Sequence, residues 1–569
     1  MIISETKEGI YTAWRDDTGK RETCIIPHES FRPYFYILSS DSKPENIISR
    51  DKWGNTKVLT VSYEENETYR NLQNLCLTRV YCKNPQEMRK VKDEFSNTFE
   101  ADVRYTHRYA VDVFHDRSRI TRKFGKNGFP EYNLRKCYWD MEWMQGGEYD
   151  GNITCIVMYD NFEKKFHRYS WFPNLSKVKE TYTPNLDKDV KEFMFHDEQT
   201  MILYFLTVIN KQDPDMLISW FGNRFDLPKL LERCAALQID ARLLSPAWEI
   251  DGFKANKKGF VFDREFFGPI AQPIKGRITL SLDVAFERQW NDAQRGTLPS
   301  LSLDYVSNLV LGTKKLVSEK FPDKQEFFRR GWLEDTHTYL QYALIDVELI
   351  KQLDETNYLS EAVLSLQRLI KAPFDACFYA SNMGGIYFMR NAWWKAPSST
   401  EGVKIQYEGA MIYDPLKEGT NGLHEGVAAF DYAQLYPSMM IARNISWETK
   451  SDVPTEFAVN ISTPRDFSPI THLNMLYYKT DKLGILPKSV LELKQLRDEY
   501  KKKMKASLTD DEKIKWNNNQ LAVKRLMASF YGIIGYQGFG WADVDVAASI
   551  TASAREAIRF AALKVEGLE

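Results

Sequence analysis

Apolar and polar positions alternate over short runs through about the first 130 residues, with polar turns between the runs. This period of two predicts a β-rich beginning, of which Phe31-Arg32-Pro33-Tyr34-Phe35-Tyr36-Ile37-Leu38 is an aromatic example. Strand and helix patterns then mix over 133 to 354. Cys137-Tyr138-Trp139 leads as a strand into Asp140-Met141-Glu142, Trp220-Phe221-Gly222 precedes a helical pattern from Leu227 to Leu237, and Thr336 to Leu353 keeps helical spacing. Residues 355 to 400 read as helical and aromatic, turning at Pro397-Ser398-Ser399. Val427 to Phe430 is an apolar run that predicts a buried strand, delivering Asp431 where a Tyr-Pro turn begins. Leu486 to Gly535 predicts a helical hairpin. Leu491, Leu493 and Leu496 mark its apolar side, and Lys494, Arg497, Lys501, Lys502, Lys503 and Lys505 load the other. Thr509-Asp510-Asp511-Glu512 is a capping box for its second helix. A last helical pattern runs from Ala547 to Val565, with Asp543-Val544-Asp545 as its cap and first-turn acids.

At 569 residues and 43% hydrophobic, the chain is long enough for about two to four domains with separate cores. A formal net charge of -2 provides no global attraction to nucleic acid, so any such binding rests on local basic faces. Seven cysteines lie between Cys24 and Cys377 without a C-x-x-C pair. That spacing argues against a zinc site or a disulfide framework and for a reducing compartment. No apolar run reaches the ~18 residues of a membrane span, and Met1-Ile-Ile-Ser-Glu-Thr-Lys lacks a basic segment followed by an apolar core. A soluble, cytoplasmic protein without a membrane partner is expected.

Candidate chemistry lies in carboxylates. The spacing of two places Asp140 and Glu142 on one face of a strand, where they can share a metal ion. Asp226 falls at a strand-to-helix junction, and spacing of four puts Tyr342 and Asp346 on one helix face. Taken singly, Asp226 reads as a helix cap, Tyr342 and Asp346 as a surface pair, and Asp431 as a turn residue.

Together and in this order the motifs carry a resemblance. Asp140-Met141-Glu142, Asn223-Arg224-Phe225-Asp226 and Tyr342-Ala343-Leu344-Ile345-Asp346 resemble the D-x-E, N-x-F/Y-D and Y-x-x-x-D motifs of proofreading 3′-5′ exonucleases. Asp431-Tyr432-Ala433-Gln434-Leu435-Tyr436-Pro437-Ser438 resembles the D-x-x-S/A-L-Y-P-S motif of family B DNA polymerases, and Lys524 to Gly532 resembles K-x-x-x-N-S-x-Y-G. The resemblance covers essentially the whole chain and is archaeal in type. It implies an α+β multidomain protein with a β-rich N-terminal template-binding domain (1–132, with part of 355–400), an RNase H-like α/β exonuclease domain (133–354), a partial antiparallel palm (401–483 and 537–569) and helical-hairpin fingers (484–536). A thumb is absent from it.

The resemblance also assigns roles. Asp140, Glu142, Asp226 and Asp346 would hold two Mg²⁺ ions, with Mn²⁺ as a substitute, and Tyr342 would orient the attacking water. Two such cations, about 4 Å apart, activate the nucleophile and stabilise the leaving oxygen in phosphodiester hydrolysis. Asp431 and the Tyr432 carbonyl would hold the polymerase ions. Leu435, Tyr436, Arg497, Lys501, Lys524 and Tyr531 would bind the deoxynucleoside triphosphate, Tyr436 by excluding a 2′-hydroxyl and the cations by meeting its phosphates. Tyr407, Gly409 and Gly532 would touch primer-template DNA, Tyr407-Glu408-Gly409-Ala410 resembling a Y-x-G-G/A segment. Pro33, Tyr34, Pro85 and Met88 would line a pocket for a flipped template uracil.

Departures stand beside the matches. Ala528 replaces the family's Asn, and Met88 a usual Val. The D-T-D strand turn that supplies the second palm carboxylate is missing before the chain ends at Glu569. The expectation is therefore the large subunit of a split polymerase, whose small partner carries that turn and the thumb, with a sliding clamp as a further partner. A free-standing 3′-5′ DNA exonuclease and a DNA- or uracil-binding module are the alternatives.

Overall fold

The computed structural model describes residues 1–16, 18–50, 53, 56–115, 132–182, 189–257, 259–292, 296–398, 407–409, 411, 422–461, 475–536 and 538–566. The chain forms two compact units. The first comprises Met1–Phe31, Arg117–Arg368 and Pro373–Phe378, the second Arg32–Asp116, Leu369–Ala372 and Tyr379–Glu569.

A six-stranded mixed sheet organises the first unit. Its order is Val190–Phe195, Lys165–Trp171, Ile153–Asp160, Lys136–Trp143, Met216–Ser219 and Ile278–Ser281. The strand that carries Asp140 and Glu142 is central, antiparallel to Ile153–Asp160 and parallel to Met216–Ser219. Cys137, Trp139 and Met141 are buried along one side of it and Tyr138 on the other, as expected of a strand covered on both faces. Its register shifts between Glu142 and Trp143, a bulge that ends regular pairing beside the carboxylates. Helices Glu198–Gln212, Asp226–Ala236, Leu303–Leu311 and Thr336–Asn357 belong to the same unit.

Part of the expected N-terminal domain groups with the first unit. Ile2–Glu5, Gly9–Arg15 and Arg21–Pro27 make an antiparallel sheet that belongs to the first unit. Ion pairs help tie it there. Arg15 Nε lies 2.5 Å from Asp215 Oδ2, both side chains buried, and Arg21 pairs with Asp213 at 2.7 Å. A buried carboxylate is stable only when paired, and Asp215, just before strand Met216–Ser219, accepts the Arg135 N–H at 2.9 Å as well.

In the second unit, Ser62–Arg70, Cys76–Tyr81, Tyr34–Leu38 and Thr98–Phe99 form a four-stranded sheet, and Lys450–Ser451, Met475–Tyr478 and Phe457–Asn460 a small antiparallel one. The helical hairpin is present as Ile485–Ala506 and Asp510–Ile534. Leu486, Val490 and Leu493 are its buried stripe on the first helix, a spacing of four and three that keeps them on one face. The Thr509 hydroxyl caps the second helix at the Glu512 N–H (3.3 Å), while Glu512 reaches back to the Leu508 N–H. Helix Ala380–Asn391 packs on that second helix. Gly384 permits the approach, since a Cβ there would stand 2.0 Å from Ile533 Cδ1. Below them Phe388, Trp394, Trp447, Phe530 and Trp541 form an aromatic core.

The strand expected at Val427 to Phe430 does not form. These residues are irregular, and Val427 and Phe430 are 72% and 88% exposed. An apolar run becomes a buried strand only when neighbouring strands and a covering layer receive it, and among the described residues none pairs with it.

Candidate functional site

Three elements of the first unit converge. Asp140 and Glu142 come from the central strand and Asp346 from helix Thr336–Asn357, and their carboxylate oxygens lie within 4.8 Å of one another. Asp226 is the first residue of helix Asp226–Ala236, with Phe225 in the cap position, so it is not the cap that local sequence suggested. It is buried and hydrogen-bonded by Ser219 at the end of the adjoining strand.

Burial and mutual repulsion dominate the electrostatics. Burial, then the charges of Asp226, Asp346 and Glu142, hold the Asp140 carboxyl well above its ordinary range. Glu142 is pushed up to about 8 by burial and by Asp346, and Asp226 to about 7 by burial. One oxygen of Asp346, Oδ1, is buried without a hydrogen-bond partner. Such a group of crowded, underpartnered carboxylates suits hard divalent cations, which take oxygen ligands and favour the ionised form.

A cation from the chain itself enters this cluster. Lys315 Nζ donates to Asp346 Oδ2 at 2.5 Å and to the Tyr342 hydroxyl at 3.1 Å, and these charges raise its own pKa against the effect of burial. Sequence reasoning missed Lys315. It follows Gly312, where helix Leu303–Leu311 ends in a left-handed turn (φ 69°), and no local pattern links it to a motif that begins 27 residues later. Tyr342 packs edge-on against Phe327 and Phe328, which fixes its hydroxyl toward Lys315.

These shifts predict a pH-dependent stability. A carboxyl whose pKa is higher folded than unfolded keeps a proton that the unfolded chain releases, so stability falls as pH rises between the two values. For Glu142 that window runs from the ordinary 4.5 to about 8. At about 1.4 kcal/mol per unit, the cation-free protein should lose on the order of a few kcal/mol across it. Thermal unfolding with a chelator should show wild type falling increasingly behind Glu142→Gln as pH rises, and Mg²⁺ should close the gap.

The second unit assembles other predicted residues. Gln434 adopts a left-handed backbone (φ 57°) and opens helix Leu435–Ala442, so Leu435 and Tyr436 occupy its first turn while Asp431 precedes it, exposed. The rings of Tyr436 and Tyr531 are 4.4 Å apart, and the Tyr407 hydroxyl reaches that of Tyr531 at 3.4 Å. Lys524 and Ala528 are exposed, and Gly532 faces open space. On the facing helix Arg497 donates to Gln520 at 3.1 Å, and Lys501 is half-buried.

Three residues missed in sequence hold the Tyr407–Gly409 segment. Arg555 donates to the carbonyls of Glu408 and Gly409 at 2.8 and 2.7 Å, Thr551 donates to Glu408 at 2.8 Å, and a Cβ on Gly535 would stand 2.2 Å from the Tyr407 hydroxyl. Ala410 lies outside the described residues. Asp543 accepts the Val546 N–H at 3.1 Å and pairs with Lys450 at 2.7 Å, so it caps helix Val544–Glu566. Among the described residues, the acid cluster able to hold a metal is that of Asp140, Glu142 and Asp346.

Two of the expected uracil-pocket residues, Tyr34 and Met88, belong to different core clusters. Tyr34 and Tyr36 point to one face of their strand, with Leu77 and Phe99. Met88 packs with Phe35 and Ile37 on the other, as strand alternation requires. Tyr34 is tied to Asp112 by a 2.7 Å hydrogen bond, and Pro33 and Pro85 are buried.

Two family models match this chain: DNA polymerase family B over residues 339–568 and the family B exonuclease domain over 151–266. The chain belongs to DNA polymerase family B. Among curated relatives, the DNA polymerase of Pyrococcus glycovorans is 26% identical over 99% of this chain and 68% of its own length. That of Thermococcus sp. (strain 9oN-7) is also 26% identical, over 99% and 67%. The chain thus spans about two thirds of the length of these polymerases. Its fold matches the structure of the family B DNA polymerase from the hyperthermophilic archaeon Pyrobaculum calidifontis, with a TM-score of 0.69 and 18% identity, over 100% of this chain and 71% of that one. No helix among the described residues is long and apolar enough to cross a membrane.

Proposed function

We propose that this family B chain is the large subunit of a DNA-directed DNA polymerase that also removes nucleotides from DNA 3′ ends. The observation that carries the nuclease reading is the set Asp140, Glu142 and Asp346, whose oxygens lie within 4.8 Å, with buried Asp226 beside them. Two Mg²⁺ ions held there would supply charge for attacking and leaving oxygens. The chain's own residues do the rest. Tyr342, its hydroxyl fixed by Lys315 at 3.1 Å, holds the incoming water. The Lys315 ammonium offsets part of the carboxylate charge beside a phosphate.

For polymerisation, Asp431 and the Tyr432 carbonyl would bind cations ahead of helix Leu435–Ala442. Tyr436, its ring 4.4 Å from that of Tyr531, would form the floor under the sugar. Arg497, Lys501 and Lys524 would meet the triphosphate on closure of the hairpin. Tyr407, Gly409 and Gly532 would meet DNA, largely through phosphates and stacking.

A small palm-thumb polypeptide would complete the second site. The exposure of Leu423 (92%), Val427 and Phe430, with Phe560 at 61% on helix Val544–Glu566, supports a missing cover for these large apolar side chains. The nuclease half is tested by incubating a 5′-labelled DNA strand with the chain and Mg²⁺. Stepwise shortening is expected. An intact strand would remove the reading.

A further inference from the structure

The turn Trp220 to Asp226 presents one of the carboxylates, and the end of strand Ile278–Ser281 pins it at successive points. Ser281 Oγ accepts the Asn223 N–H at 2.8 Å. The Asp283 N–H donates to the Trp220 carbonyl at 3.2 Å. The Asp283 carboxylate faces Arg224, with 3.3 Å between Oδ2 and Nη1.

Asp283 is fully buried, and neither of its oxygens accepts a side-chain hydrogen bond. Burying an anion this way is costly, and Asp283 adds to the repulsion felt by Asp226. The arrangement is a poor stability device, since a buried ion pair at this distance seldom recovers its desolvation cost. Its distinct consequence is to hold a cation next to the site. Arg224 is two residues from Asp226, and its side chain is 37% exposed. Its backbone is fixed by Arg264, which donates to the Arg224 carbonyl at 2.6 Å. A guanidinium anchored on one side still offers N–H groups on the other, in the fork geometry that matches phosphate oxygens.

We propose that Arg224 is a further substrate-binding residue of the nuclease site, contacting a backbone phosphate of the DNA strand end, and that buried Asp283 is a positioning residue acting through it. This rests on the exonuclease reading of the site. Arg224 then takes the phosphate neighbouring the one under attack, outside the carboxylate cluster.

The test separates contact from scaffolding. Arg224→Ala alone leaves Asp283 unpaired and risks misfolding, so Arg224→Ala with Asp283→Asn is the informative variant, and Arg224→Lys keeps charge without the fork. Binding of a fluorescent single-stranded oligonucleotide is read by anisotropy in chelator across a salt series, and strand shortening is read with Mg²⁺. The double variant should bind about tenfold more weakly, with its log-log salt slope shallower by about 0.7, the value for one phosphate contact on a single strand. KM should rise about tenfold while kcat changes little. Arg224→Lys should keep the salt slope and lose part of the affinity. If the double variant matches wild type in affinity, slope and KM, Arg224 serves only the turn and the proposal fails, while shortening by both proteins would leave the exonuclease reading intact. If wild type binds but never shortens the strand, that reading fails, and the slope comparison still decides for Arg224.

Discussion

Replacing Asp140 and Glu142 together by alanine is expected to lower the rate of 3′-end shortening by about 10³-fold or more, corresponding to the several kcal/mol that bound cations contribute to a charged transition state. The two side chains leave the same strand face and meet Asp346 within 4.8 Å, so one double substitution removes half of the four carboxylates. It should not harm the fold. These carboxyls are held above their ordinary range by burial and by one another, so removing them relieves repulsion in the cation-free protein. The variant should therefore unfold at a temperature equal to or above wild type in chelator. A shortening rate within tenfold of wild type would place the chemistry elsewhere.

Asp431→Ala is the second large effect, and it falls on synthesis alone. With a partner polypeptide supplying the remaining palm carboxylates, primer extension should drop by about 10³-fold or more, since a cation ligand would be lost from phosphoryl transfer. Asp431 is exposed, outside any helix or strand. Stability should stay within about 0.5 kcal/mol, as for other exposed substitutions, and strand shortening should be unchanged. A parallel loss of both activities, or a destabilised protein, would mean that Asp431 acts through the fold.

Features governed by local period were legible in the sequence. Strand alternation placed Asp140 and Glu142 on one face, helical spacing placed Tyr342 with Asp346, and the hairpin emerged as Ile485–Ala506 and Asp510–Ile534 with its capping box. The groups that escaped reach their positions through tertiary structure. Lys315 arrives from a loop, Arg555 and Thr551 reach the Tyr407–Gly409 segment from a helix about 145 residues away, and Arg15 finds Asp215 across 200 residues. Alternation, applied strictly, also separates Tyr34 from Met88, whereas the motif alone had grouped them. Val427 to Phe430 failed as a strand because hydrophobicity states a need for cover without naming what provides it.

The most direct test of the split-polymerase account is extension of a 5′-labelled primer on a DNA template with Mg²⁺ and all four deoxynucleotides, using this chain alone at rising concentration and then with a palm-thumb polypeptide carrying a D-T-D turn. The chain alone should only shorten the primer, and extension should appear only with the added polypeptide. Extension by the chain alone, abolished by Asp543→Ala with Asp545→Ala, would contradict it and turn the Asp543 helix cap into a catalytic ligand.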